Sequence, residues 1–180
     1  LKRESTIFII MTLLTAALVY IILRSFYMAR ARALLIAQEM TESLRKSEDR
    51  YKAFISTSSE GIWRFELEKP VDVSWPAAKQ LDHFYQYAYL AECNDVLAKM
   101  YGYEKAKDIL GVRLTDMLIP TDPKNIEYLT KFVESRYKLI DSESREKDKT
   151  GNIRYFHNTF VGIIEHGHVK SAWGTQRDIT

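Results

Sequence analysis

Cysteine, glycine and proline are all scarce in this chain of 180 residues, with one, seven and four copies. A single cysteine, Cys93, excludes an internal disulfide framework and a metal site built from several cysteines. No glycine-rich loop is present that could hold the phosphates of a nucleotide. No histidine lies in a recognisable phosphotransfer pattern, and no serine lies in a G-x-S-x-G elbow. We therefore predict that this segment is not an enzyme and has neither catalytic nor metal-binding residues.

The chain has no net positive charge outside the N-terminal region. The formal net charge is +2, but residues 1–32 hold five basic residues and one acidic residue, which leaves −2 for the remainder. A body without a basic surplus cannot neutralise a phosphate backbone effectively. We therefore expect no binding to nucleic acid.

The longest run without charge lies near the N-terminus. Thr6–Leu23 contains 18 uncharged residues, and a helix of that length spans about 27 Å, close to the hydrocarbon thickness of a bilayer. A buried core helix and a signal peptide are the alternatives, but the run is apolar on every side and no suitable cleavage site follows it closely. The sequence predicts a transmembrane helix within residues 1–23. Three arginines follow it and two basic residues precede it, which favours a cytoplasmic location for the C-terminal side.

Residues 24–55 have the composition of a long helical linker, since no proline or glycine interrupts them. Apolar or small residues recur there in alternating steps of four and three, at Ala33, Ala37, Met40, Leu44, Ser47, Tyr51 and Phe54. This 3.5-residue period is typical of a coiled-coil seam. We expect a homodimer formed through this linker, and a solvated connector helix is the alternative.

Residues 56–180 begin with a strand pattern and several helix signals. Gly61–Glu68 alternates in hydrophobicity, which predicts a first strand closed by Pro70. An amphipathic helix is inserted at about residues 76–88. Tyr89–Gly111 then reads as a strand, a short helix capped by Asn94 and a second short helix, with Gly102 and Gly111 as the glycine stops.

The second half of this region begins with Asp122 and Pro123, an N-cap followed by proline at the first helical position. Three strand patterns follow at residues 138–148, 153–164 and 169–180, separated by the turns "KTGN" and "EHGH". The alternating charges of the first pattern suggest one wet face, so its carboxylates, Glu143 and Asp148, are predicted to be solvated. We predict an α+β fold, a five-stranded antiparallel sheet with helices on one face.

The order of these motifs resembles that of a PAS sensor domain, over about Glu48–Thr180. The resemblance is carried by "SSEGIWRFEL", "AECNDVLAKMYGY", "AKDILG", "KDKTGNIRYF" and the terminal "RDIT". Pro70–Tyr87 departs from the commonest family pattern as an insertion between the first two strands. With the preceding span and linker, the resemblance implies a sensory or relay module of a membrane-bound sensor histidine kinase. It also implies a location at the inner (cytoplasmic) membrane, with the domain on the cytoplasmic side.

Two alternatives stay open for this module. It is either a purely structural dimerisation or relay module without a ligand, or the input of a diguanylate cyclase. A packed interior would indicate a relay, whereas an open apolar cavity with a few polar groups would indicate a small-molecule sensor. Haem or flavin would be compatible with the family, but no residue requires either. Cys93 lies at a strand end and not on the helix where a flavin adduct would form.

The resemblance also implies functional residues. Asp178 and Thr180 would anchor the exit from the domain to the sheet, and we expect Asp178 to pair with Arg64 or Lys149. The candidate pocket-lining residues lie on the predicted strands and on the capped helix. They are Trp63, Phe65, Asn94, Met100, Tyr101, Phe156, Phe160 and Trp173.

Overall fold

The computed structural model describes the backbone of residues 2–180 and the side chains from Ile10 onwards. It contains two compact units, divided between Lys52 and Ala53. The first consists of most of one long helix, α1 (Lys2–Thr57). The helix is continuous because its sequence contains neither proline nor glycine, the two residues that most often interrupt helices.

The described part of the apolar run in α1 is exposed. From Ile10 to Leu23, the large apolar side chains are between 51% and 65% exposed. One helical segment, Ile10–Thr57, is long and apolar enough to cross a membrane, judged by length and composition. The side chains of the first four residues of the predicted span, 6–9, lie outside the described part of the chain.

The second unit contains the predicted five-stranded antiparallel sheet. Its strands are β1 (Gly61–Asp72), β2 (Ala88–Cys93), β3 (Lys138–Lys147), β4 (Ile153–Glu165) and β5 (His168–Asp178). They lie in the order β2-β1-β5-β4-β3, and every neighbouring pair is antiparallel. The last three strands form the expected meander, and β1 and β2 extend it on the β5 side.

The prediction that the first strand ends at Pro70 is wrong, because β1 continues to Asp72. Its pairing with β2 stops at Leu67. Its pairing with β5 is interrupted between Glu66 and Val71. Pro70 therefore lies where the ladder requires no N–H donor, and a strand tolerates proline at such a position.

Helices cover one face of this sheet. They are α2 (Ala77–Tyr87), α3 (Asp95–Met100), a 3-10 turn (Ala106–Asp108), α4 (Leu114–Met117) and α5 (Pro123–Glu134). The two longest, α2 and α5, contact each other, and they also contact β1 and β3, respectively. The core lies between these helices and the sheet and is rich in buried aromatic side chains, including Trp63, Phe84, Tyr101, Phe132, Phe156 and Phe160.

The two predicted helix starts are confirmed by side-chain caps. The Oδ1 atom of Asn94 accepts from the backbone N–H of Leu97 at 3.0 Å. At α5, Asp122 accepts from the backbone N–H of Lys124 at 2.9 Å, and Pro123 occupies the first helical position. In each case a side chain satisfies a donor that the first turn leaves unpaired.

The predicted glycine stops after α3 are confirmed as well. Gly102 and Gly111 have φ values of 82° and 86°. These lie in the left-handed region, which glycine enters without the steric cost of a Cβ atom. The chain therefore turns sharply twice beside β2.

β3 has the solvent-exposed face that we predicted, and its other face is buried and carries polar side chains. Glu143 and Lys147 are exposed, but Ser144 and Glu146 alternate with them and are buried. Asp148, predicted to be solvated, is buried too. Buried polar groups of this kind require hydrogen-bond partners, and those partners form the candidate site described below.

Candidate functional site

The sheet and its helices line a partly open cavity of about 70 Å³. One water molecule needs about 10–15 Å³ of such volume, and a cavity of about 150 Å³ holds benzene. The cavity is therefore large enough for a molecule smaller than benzene. Six aromatic rings line it: Trp63, Phe65, Phe84, Tyr128, Phe132 and Phe160. Its polar lining consists of Glu146, Asn158, Ser171 and Gln176.

Three of the predicted pocket residues, Trp63, Phe65 and Phe160, line this cavity. The ring of Trp63 lies 5.4 Å from the ring of Phe65 and 5.4 Å from that of Phe160, centroid to centroid. Within the described part of the chain, the indole N–H of Trp63 is buried and has no hydrogen-bond acceptor.

The other predicted pocket residues are not among those that line the cavity: Asn94, Met100, Tyr101, Phe156 and Trp173. Trp173 lies on the opposite face of the sheet, because Ala172 beside it faces the cavity. The guanidinium of Arg64 lies 5.5 Å from the Trp173 ring centroid. Asn94 instead joins separate elements of the fold, since it accepts from the Ile62 N–H and donates to the Glu60 carbonyl.

A chain of hydrogen bonds that includes several of the lining residues centres on Glu146. The Ser144 hydroxyl donates to Glu146 Oε1 at 2.6 Å, and the Tyr101 hydroxyl donates to Oε2. Asn158 Nδ2 donates to the Ser144 hydroxyl at 2.8 Å, and Gln176 Nε2 donates to the Tyr101 hydroxyl at 2.7 Å. The network therefore joins the C-cap of α3 to β3, β4 and β5 through one carboxyl group.

Burial controls the protonation of this network. It raises the pKa of Glu146, and the bonds from Ser144 and Tyr101 oppose that rise only in part. Burial also raises the pKa values of Tyr101 and Tyr128 well above the usual range, so both phenols stay neutral. Burial thus favours the protonated form of the Glu146 carboxyl group in the cavity wall.

Tyr101 links the cavity wall to the β3–β4 hairpin. Its side chain is 2% exposed and packs on Phe156, with ring centroids 5.3 Å apart. Its hydroxyl belongs to the Glu146 network, while its backbone carbonyl accepts from the backbone N–H of Lys149 in the hairpin turn at 3.1 Å. One residue therefore contacts both the site and the turn.

The predicted coupling residues at the C-terminus are held by β4. Thr180 Oγ1 accepts from the backbone N–H of Tyr155 at 3.0 Å, and the Ile179 N–H donates to the Tyr155 carbonyl at 3.0 Å. Asp178 Oδ1 accepts from the Thr180 N–H at 2.9 Å. The last residues thus remain attached to the sheet.

The basic partner of Asp178 differs from the two that we predicted. Arg154 Nη1 lies 3.9 Å from Asp178 Oδ2, and Arg154 Nε lies 3.5 Å from Asp148 Oδ2. Arg64 is engaged elsewhere, in ion pairs with Glu66 and with Glu92, the latter at 2.7 Å. Register explains the difference, because Asp178 faces Phe156 on β4, two residues from Arg154 and therefore on the same face.

Asp148 organises the hairpin turn that Arg154 contacts. Its Oδ1 atom accepts from the Thr150 hydroxyl at 2.6 Å and from the Asn152 N–H at 3.0 Å. The Thr150 hydroxyl bond is the main reason that the pKa of Asp148 falls below its usual range. Asp148 is therefore an anion that holds the turn and, through Arg154, meets the C-terminal end.

Cys93 is not part of the cavity lining. Burial raises the pKa of its thiol to about 12, so the reactive thiolate is rare at neutral pH. Among the described residues, no group of three or more His, Cys, Asp or Glu side chains is arranged to hold a metal ion.

The sequence reasoning missed the three polar side chains that define the site, Glu146, Asn158 and Gln176. A signal for one of them was available. Asn158 alternates with Phe156 and Phe160 along β4, so the period of two places it on the buried face. Gln176 lies directly opposite Asn158 in the β4–β5 ladder, but that register follows only from the assembled sheet.

The sequence model of the family described as "PAS domain" matches residues 86–180, which is 95 of the 180 residues. The chain belongs to the PAS domain family. The match begins at the end of α2 and includes β2 to β5, with the Glu146 network and the C-terminal triplet. PAS domains commonly sense signals.

Solved structures show the same fold. The PAS domain of a protein from Colwellia psychrerythraea has a TM-score of 0.51 and 23% identity, with 74% of this chain and 96% of that chain covered. An RNA-binding light-oxygen-voltage receptor has a TM-score of 0.50 and 17% identity, with 74% of this chain and 33% of that chain covered. The PAS domain of an HTR-like protein from Haloarcula marismortui has a TM-score of 0.47 and 14% identity, with 79% of this chain and 99% of that chain covered. Among curated proteins, none matches this sequence.

Proposed function

We propose that this chain is the membrane-anchored input segment of a signalling receptor. In this proposal, the PAS domain carries no catalytic activity and passes a conformational signal to a C-terminal output domain. A histidine kinase is our first assignment for that output, and a diguanylate cyclase is the alternative. The observation that carries the proposal is the attachment of the C-terminal triplet to the sheet through β4.

The contacts around Arg154 support this coupling role. Its guanidinium lies between the carboxylates of Asp148 in the hairpin and Asp178 at the exit. The Arg154 side chain is 37% exposed, so each ion pair contributes little to stability alone. An arrangement of this kind can break and re-form at low cost, which suits a contact that changes between two signalling states.

The exposed apolar part of α1 supports membrane anchoring. If this helix lay in water, its large side chains would expose a far larger contiguous apolar surface than typical soluble proteins do. A bilayer would cover it, and the slight excess of basic residues after the run favours a cytoplasmic side for the PAS domain. Alkaline carbonate extraction checks this step: the chain should stay in the membrane pellet of expressing cells, and release into the supernatant would contradict it.

The exposed seam of the linker supports a homodimer. Met40, Leu44 and Phe54 are 68%, 70% and 70% exposed in the single chain. They recur at the coiled-coil period, so a second copy would cover them along one stripe. Disulfide crosslinking of a Leu44→Cys variant in membranes should therefore trap a dimer.

The test of coupling is an Asp178→Ala variant in the intact receptor. We expect the response of the output activity to the stimulus to fall severalfold, because the exit loses its contacts with Arg154 and with the Thr180 N–H. Asp82→Ala, which removes an exposed carboxylate on α2, is the matched control and should respond like the unmodified receptor. Signalling that survives Asp178→Ala unchanged would defeat the proposal. Assays for autophosphorylation and for cyclic dinucleotide synthesis distinguish the two outputs.

A second candidate function is a relay without a ligand, and the small size of the cavity favours it. A volume of about 70 Å³ is too small for haem or flavin unless the domain expands. The colour and the extracted small-molecule content of the purified chain separate the two candidates. A bound chromophore would contradict the ligand-free relay.

A further inference from the structure

The charge of the cavity is unbalanced. Glu146 lines it, whereas no lysine, arginine or histidine is among the described residues that do so. A buried carboxylate without a cationic partner is strongly unfavourable, and a cation that enters the site relieves the cost. The wall therefore favours a positively charged ligand over a negatively charged one.

The direction of the hydrogen bonds leads to the same conclusion. When Glu146 is ionised, Ser144 and Tyr101 each donate their only hydroxyl proton to it, so each can only accept from the next residue. They accept from the amide nitrogens of Asn158 and Gln176. This arrangement fixes the amide orientation and leaves the Asn158 Oδ1 and Gln176 Oε1 atoms without a donor among the described residues. Asn158, Gln176 and Glu146 are all among the residues that line the cavity.

Three acceptor groups on one wall match a primary ammonium group, which has three N–H donors. The rest of the wall consists largely of aromatic rings, whose faces attract cations and whose area covers an alkyl group. Compared with the benzene-sized cavity of about 150 Å³, a volume of about 70 Å³ admits about three or four non-hydrogen atoms.

We propose that the cavity binds a small primary ammonium ion, with its N–H groups on Glu146, Asn158 and Gln176 and its alkyl group among the aromatic rings. This inference rests on the proposed sensory function and names the ligand class of that site. Burial raises the pKa of Glu146, and a bound cation would oppose that rise and hold the carboxylate ionised. The ligand would thereby tighten the bond that Tyr101 donates.

The experiment compares propylammonium, propan-1-ol and propanoate, three probes of equal chain length and different charge. They are titrated by calorimetry into the 180-residue chain in a non-ionic detergent. Propan-1-ol is the strict competitor, because it has the same alkyl chain and a hydrogen-bonding group without a charge. We expect propylammonium to bind about tenfold or more tightly than propan-1-ol, the typical advantage of a hydrogen bond to a charged group. We expect no binding of propanoate.

Two variants locate the effect. Glu146→Gln keeps the size of the side chain and removes its charge, so the preference for propylammonium over propan-1-ol should disappear. Glu143→Gln removes a charge from the exposed face of the same strand and should leave that preference intact. If Glu146→Gln does not fold, Gln176→Ala is the second variant, because it removes one acceptor. It should weaken the binding of propylammonium and leave the binding of propan-1-ol unchanged.

Equal affinity for the alcohol and the ammonium ion would overturn the assignment, and so would the absence of ammonium binding to the unmodified chain. Neither result would contradict the proposed coupling of the PAS domain to the output domain, which the Asp178→Ala experiment tests without any ligand for the cavity. Conversely, tight ammonium binding with normal signalling in Asp178→Ala would support the ligand class and defeat the coupling route.

Discussion

Replacing Asn94 with alanine removes a side chain that holds three parts of the PAS domain together. Asn94 is 5% exposed. Its Oδ1 atom accepts from the N–H groups of Ile62 in β1 and Leu97 in α3, each at 3.0 Å. Its Nδ2 atom donates to the carbonyls of Ile55 in α1, at 3.3 Å, and Glu60, at 2.9 Å. Every polar site of this amide is therefore used.

The loss can be estimated from these four bonds. A net contribution of about 1 kcal/mol for each gives about 4 kcal/mol, of which the N-cap bond to Leu97 accounts for about 1 kcal/mol. Domains of this size have a total stability of about 5–15 kcal/mol, so the variant should unfold more than about 10 °C below the unmodified chain. Asn94→Ser keeps a capping oxygen and should recover about 1 kcal/mol.

Tryptophan fluorescence during urea unfolding measures this effect selectively, because all three tryptophans, Trp63, Trp75 and Trp173, lie in the PAS domain. Asn152→Ala is the matched control, since Asn152 is exposed in a hairpin turn, and it should cost about 1 kcal/mol or less. If Asn94→Ala cost no more than this control, the amide would not be the junction that its contacts indicate.

Two further predictions concern the cavity. A Cβ atom on Gly174 would lie 2.5 Å from Trp63 Cζ2, so Gly174→Ala should destabilise the domain by about 1–3 kcal/mol, and adding Trp63→Phe should recover part of that loss in the same unfolding assay. If adding Trp63→Phe recovered none of the lost stability, the contact with Trp63 would not be the source of the strain. Because burial raises the pKa of Glu146 above its ordinary value of 4.5, the folded state holds this proton more tightly, and stability falls as the pH rises from 4.5 through the folded-state pKa. The unfolding free energy of Glu146→Gln minus that of the unmodified chain should therefore increase with pH from about 4.5 upward, and a constant difference across urea titrations at several pH values would contradict this.

Local chemistry predicted much of this fold. Asn94 and Asp122 have side chains that cap helices, and Gly102 and Gly111 adopt a conformation that other residues avoid, so their positions follow from the nearest few residues. The period-two patterns of β4 and β5 likewise follow from the requirement to bury one face. The end of β1 was missed because tolerance of Pro70 depends on a gap in the ladder with β5, a contact about 100 residues away in sequence.

The candidate site was less predictable than the fold for a related reason. Glu146 resembles solvated charge when β3 is considered alone, and only Tyr101 from α3 and Ser144 beside it make its burial tolerable. The partner of Asp178 similarly depends on the β4–β5 register, which brings Arg154 close and leaves Arg64 with Glu92. Interactions between distant segments decided both outcomes, and residue types alone do not specify them.

The double attachment of Tyr101 has a thermodynamic consequence for such a receptor. Its hydroxyl belongs to the cavity wall and its carbonyl to the hairpin that reaches Asp178 through Asp148 and Arg154. If ligand occupancy biases the hairpin through this residue, reciprocity requires the hairpin to bias ligand affinity by the same factor. Substitutions at Arg154, remote from the cavity, would then retune the concentration at which the receptor responds, so that sensitivity and output strength would change together.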